Sequence, residues 1–260
     1  MKRRQFLTGS MAAPVLAAAA QQTGDKKREY YVLRRYQLQR GPQHKLTEDF
    51  LASALVPGLN RLGISPVGVF NVTIGPEDPT FYVLIPGTSA DALVTADFRL
   101  EQDSEYVKAA SAFFSATDKA PAFVRAESSL MLAFEGWPRL TVPAATAQHG
   151  KRLFELRIYE SPSDADHRRK VEMFNSGEFA AFEKAGFWQV FFGDTLVGPR
   201  MPNLTYMLGF EDMAARDRMW KAFGASEEWK KLSGSPRYNY EEIVSSITNV
   251  ILTPTSYSQI

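Results

Sequence analysis

The chain has 260 residues, 45% apolar and 23% charged, with a net charge of +1 and no cysteine. That is enough for one large domain or two small ones with their own cores. The near-neutral balance, without a long basic run, argues against nucleic acid or an anionic membrane as partner. The lack of Cys excludes disulfides, thiolate metal sites, iron–sulfur clusters and thioether-linked haem.

The N-terminus "MKRRQFLTGS" carries three positive charges and no negative one, and "MAAPVLAAAA" follows as a short apolar stretch ending in small residues. This order suits a cleavable leader with an A-x-A type site near Ala18-Ala19-Ala20. Arg3-Arg4-Gln5-Phe6-Leu7 resembles the twin-arginine export signal. Residues 1–20 are therefore expected to be a signal peptide, and the mature protein to be periplasmic or secreted. Removing them leaves 27 basic against 29 acidic residues. No later stretch approaches the ~18–20 apolar residues that span a bilayer, so no integral membrane segment is expected. No Cys follows the leader to carry a lipid anchor.

Beyond the leader, a strand is predicted over about 30–38, then a helix over about 43–61 with Leu51, Leu55, Leu59 and Leu62 at helical spacing. Gly63 stops it. Strands "PVGVFNVTI" and "TFYVLI" flank a Gly75-Pro76 turn; a helical segment covers about 89–116, and a last strand about 125–136. Residues 137–150, "WPRLTVPAATAQHG", read as a linker. The order then recurs: a strand at 153–160, a helix at 165–185 striped by Val171, Phe174, Phe182 and Ala185, and a stop at Gly186. Strands "WQVFFGDTLV" and "NLTYMLGF", a helical segment at 211–232 and a strand at 243–252 complete it.

The recurrence holds one register. An offset of 123 maps Leu33-Arg34 and Tyr36 onto Leu156-Arg157 and Tyr159, His44 onto His167, and Gly63 onto Gly186. It also maps Gly75-Pro76 and Pro79 onto Gly198-Pro199 and Pro202, and Glu105-Tyr106 onto Glu228-Trp229. Two copies are too few for a solenoid and read as a tandem duplication. Each has the order β-α-β-β-α-β, a ferredoxin-like pattern. The fold class expected is α+β: two tandem units, 29–136 and 151–260, pairing their sheets into a dimeric-type α/β barrel within the chain or with a second chain in a homo-oligomer. The "Y-x-L-R-x-Y" opening, the Gly-Pro hairpin and the late "E-[YW]" resemble the NIPSNAP family of dimeric α/β-barrel proteins, over most of 29–136 and 152–252.

Strand alternation places Tyr31 and Leu33 on one face, as it does Phe154, Leu156 and Ile158; this apolar face is expected to pack on the helices. Arg34, Tyr36, Arg157 and Tyr159 then point into the space between the paired sheets, as candidate ligand-binding residues for a carboxylate or enolate oxygen. His44 and His167, at the start of the first helix of each unit, are the second choice, as ligand or proton shuttle; His149 lies in the linker. No zinc motif, G-x-S-x-G elbow, P-loop or dinucleotide fingerprint occurs, so catalytic residues are unassigned. No cofactor, haem or tightly held metal is expected. The leading functional expectation is binding or transformation of a small molecule between the sheets. The resemblance implies two alternatives: a non-enzymatic interaction module with the barrel as scaffold, and a haem-binding barrel.

Overall fold

A computed structural model describes residues 27–148 and 150–260. The expected signal peptide and His149 lie outside the described residues. Eight strands form one closed antiparallel barrel: β1 (Tyr30–Gln37), β2 (Gly68–Ile74), β3 (Thr80–Gly87), β4 (Arg125–Ala133), β5 (Leu153–Glu160), β6 (Trp188–Val197), β7 (Asn203–Phe210) and β8 (Ser246–Pro254). Around the barrel they run β1-β3-β2-β8-β5-β7-β6-β4. Each unit thus contributes a four-stranded sheet, β4-β1-β3-β2 and β8-β5-β7-β6, and the sheets meet at two seams, β2 on β8 and β4 on β6. The fold is a mixed α+β dimeric-type barrel, and one chain closes it.

The four strands of each unit follow the same order, and a helix with a π-helical turn follows the first strand in both. In the first unit, Pro42–Phe50, the π-helical turn Leu51–Leu55 and Val56–Arg61 run as one helix; in the second, Asp164–Met173 and Phe179–Ala185 meet across the π-helical turn Phe174–Glu178, which kinks at Gly177 (φ 166°, ψ −11°). The two π turns lie 123 residues apart. Glu77 and Arg200, separated by the same 123, are the two non-glycine residues with positive φ among the described residues, at 61° and 57°, one in each hairpin. Gly186 ends its helix in the left-handed region at φ 88°, which only Gly enters without a Cβ clash.

The later helices are shorter than their sequence suggests. The stretch expected at 89–116 is four pieces, Ala90–Val94, Ala96–Leu100, Ser104–Ala109 and Ser111–Phe114, because Asp103 accepts hydrogen bonds from the amides of Glu105 and Tyr106 and starts a new helix there. In the second unit the counterpart is Met213–Ala225 and Glu227–Ser233, begun by Asp212 and Ser226.

Three cores result. The barrel interior is apolar and drawn from both sheets: Tyr31, Leu33, Phe70, Leu84 and Met131 meet Phe154, Leu156, Phe191, Met207 and Leu252, all buried. Outside the first sheet its helices bury Leu51, Leu55, Leu59 and Phe50 against Val32, Tyr36 and Val83. Outside the second, Phe174 and Phe182 pack with Phe187, Phe192, Tyr206 and Phe223.

Candidate functional site

The strand faces are the reverse of the sequence expectation. Tyr31, Leu33, Phe154 and Leu156 line the barrel interior, not the helix side. Arg34, Tyr36, Arg157 and Tyr159 lie in the layer between sheet and helices. The physical reason is closure: the space between two paired sheets is walled by strands all round and takes the more apolar face. The helix layer opens at its edge and can supply carboxylates to an Arg. The inter-sheet pocket expected for a ligand is filled by side chains.

In the first unit, Arg34 pairs with Asp97 at 2.9 Å. Tyr36 sits edge-on to Phe113 and Phe123. The surroundings are apolar: Val32, Leu55 and Val83.

The second unit builds a different layer on the same frame. Glu155, fully buried, accepts from Arg157 at 2.8 Å, from two nitrogens of Arg216 at 2.8 and 2.9 Å, and from the indole of Trp220 at 2.8 Å. Arg157 donates Nε and Nη2 to the hydroxyl of Tyr159, at 3.1 and 2.8 Å, and its guanidinium lies 4.4 Å from the Trp220 ring centroid. Tyr206 donates to the same Tyr159 oxygen at 2.9 Å. Beside them Lys170, completely buried, pairs with Glu178 of the π turn at 2.7 Å, its ammonium 4.4 Å from the Phe174 ring centroid. Arg216 also reaches the exposed Asp217 at 3.0 Å.

Electrostatics follow from burial and pairing. Burial pushes the Glu155 carboxyl up, but the Arg216 hydrogen bonds and the Arg157 charge outweigh it and hold the group below its ordinary value. Glu178 goes the other way: burial raises it more than Lys170 lowers it. Burial likewise raises Tyr206. Burial disfavours the charge on Arg157, yet Tyr206, Tyr159 and Glu155 together raise its pKa.

His44 and His167 occupy equivalent places at the start of the first helices. His44 Nε2 lies 3.4 Å from Asn71 Oδ1, and His167 Nε2 lies 2.6 Å from Asp194 Oδ1. Each imidazole thus faces its own second strand from the helix side, away from the barrel interior. Among the described residues no group of three or more His, Asp or Glu is placed to hold a metal, and no helix is long and apolar enough to cross a membrane.

Glu155, Lys170, Glu178, Tyr206, Arg216 and Trp220 were not singled out by sequence. A comparison of the copies at offset 123 would have found four of them, since their counterparts are Val32, Thr47, Leu55 and Val83 for Glu155, Lys170, Glu178 and Tyr206.

Residues 154–259 match the NIPSNAP family model. No curated protein matches the chain. A NIPSNAP-like domain protein from Burkholderia xenovorans is 24% identical, covering 42% of this chain and 90% of its own, with a TM-score of 0.38. A Lactobacillus acidophilus protein provisionally named a monooxygenase is 8% identical, covering 87% of this chain and 94% of its own, with a TM-score of 0.55. A Fusobacterium nucleatum protein with the same provisional name has 8% identity, coverage of 88% and 93%, and a TM-score of 0.53. The last two share the fold of the whole barrel.

Proposed function

Starting from a chain whose second half is a NIPSNAP domain on a dimeric-type α/β barrel, we propose that the protein binds a small organic carboxylate or enolate in the helix layer of its second unit. The first unit acts as the structural partner that closes the barrel, and we read the two as products of a tandem duplication. One observation carries this reading. Charges are costly to bury, and the first unit reaches the same fold with Val32, Thr47, Leu55 and Val83 where the second has Glu155, Lys170, Glu178 and Tyr206. The barrel does not need the network, so its retention points to a ligand.

Arg157 is the anchor. Two N–H groups, Nε and Nη2, converge on one phenol oxygen, an arrangement that a carboxylate answers better, with two acceptor oxygens in fork geometry. The Trp220 face beside it suits a planar ligand. Mass spectrometry of small molecules retained by the native protein is the test: the wild type and Arg34→Ala retain the ligand, and Arg157→Ala loses it. A wild type that retains nothing and shows no saturable thermal shift with small aromatic carboxylates would overturn the reading.

A second reading, the interaction module, is favoured by one observation: Val94, Phe98 and Phe114 on the first unit's helices stand more than half exposed, at 54%, 69% and 53%. The twin-arginine N-terminus supports export. Arg3→Lys with Arg4→Lys should leave unprocessed protein in the cytoplasm, as fractionation would show; normal periplasmic accumulation would count against export by that route.

A further inference from the structure

We infer that a second ligand site lies outside the barrel, in the groove where the linker crosses the corner between Phe179–Ala185 and β6, and that it takes a planar, mainly apolar molecule with a neutral donor–acceptor edge, such as a fused-ring lactam. The groove has a volume of about 550 Å³, lined by Trp137, Val142, Glu183, Phe187, Trp188 and Gln189 among others, a size that suits a small organic ligand. The amide of Thr141 donates to Val190 at 2.9 Å and holds the linker in place over β6.

Unsatisfied polarity occurs here. Among the described residues, six buried side-chain polar atoms lack a hydrogen-bond partner, and two belong to residues that line this groove: Trp137 Nε1 and Gln189 Oε1. Gln189 is only 7% exposed; its amide nitrogen donates to the Phe179 carbonyl at 3.2 Å, which leaves its oxygen open. Buried polar atoms are normally paired. Both atoms are closed to solvent at the groove wall, so a molecule that brings the complementary pair meets them as the Trp137 and Gln189 side chains turn outward. Aromatic walls at Trp137, Phe187 and Trp188 favour a flat one. Glu183 on the lining repels an anion, so the edge is neutral, which sets this ligand apart from the one proposed at Arg157.

Titration of the full protein with 2-quinolinone, followed by tryptophan fluorescence and calorimetry, tests the site. Saturable one-to-one binding is expected, about tenfold weaker in Gln189→Leu and roughly tenfold weaker for naphthalene, which lacks the polar edge. Val142→Arg, at an exposed position, should abolish it without disturbing the core, and Arg157→Ala should leave it unchanged. The proposal is overturned by a lack of saturable binding or by equal affinity for naphthalene, which would mark a merely apolar surface. Binding that survives Val142→Arg, or is lost in Arg157→Ala, places the ligand elsewhere and overturns it too.

Discussion

Lys170 and Glu178 form an ion pair with both side chains essentially out of solvent, at 0% and 3% exposure. Removing one member of such a pair leaves an uncompensated buried charge, a cost of about 3–5 kcal/mol. Glu178→Leu alone should therefore destabilise by about that amount in denaturant unfolding. The double variant Lys170→Thr with Glu178→Leu installs the first unit's own residues, Thr47 and Leu55, and should recover most of the loss. A double variant no more stable than the single would show that the pair is required for packing. Glu155 supplies a second test. Its carboxyl is held below the ordinary 4.5 by Arg216 and Arg157 despite burial, so its contribution to stability is present above that value. The contribution fades as pH falls through the lower, folded-state value. The acid limb of stability below about pH 4.5 should be flatter in Glu155→Gln than in wild type. Equal limbs would mean Glu155 does not titrate on unfolding. At this scale the sequence was legible in part. Arg157 and Tyr159 stood out in a repeated motif, but nothing in the sequence singled out Lys170 and Glu178. Nothing local distinguishes a charge turned inward from one turned to water, and their pairing across a π turn depends on a helical register that periodicity does not report.

Helices and strands were more legible than faces. The apolar stripe of each first helix is buried at Leu51, Leu55 and Leu59 in one unit and at Phe174 and Phe182 in the other, each 0% exposed, while Leu62, Val171 and Ala185 are only partly buried. Leu55→Ala and Phe182→Ala should each cost about 2–5 kcal/mol. Phe182 belongs at the upper end, since its ring stacks on Phe223 at 4.7 Å and meets Phe187, Phe192 and Trp220. Unchanged denaturant midpoints would mean that those contacts add nothing. The π turns stayed invisible because one extra residue per turn barely disturbs a stripe of four apolar positions. The strand faces were read backwards for a different reason. Alternation reports which residues share a side, and only the closing of the barrel decides which side is dry.

Closure belongs to the whole molecule, and it predicts how the halves behave apart. Within one chain, β2 pairs with β8 and β4 with β6, and each sheet buries its inner face against the other. Residues 151–260 alone would present Phe154, Leu156, Phe191, Met207 and Leu252 to water and leave β6 and β8 as open edges. The cheapest repair is a second copy of the same half. β6 of one would lie on β8 of the other, as β2 lies on β8 and β6 on β4 in the intact chain, and a two-fold axis would close the barrel. Expressed separately, the second half should therefore elute as a dimer in size-exclusion chromatography with light scattering. Adding the first half should convert it to a heterodimer when the two are refolded together. A monodisperse, folded monomer would contradict this, because it would show that the inner sheet face can be satisfied without a partner and that burial between the sheets does not hold the barrel shut.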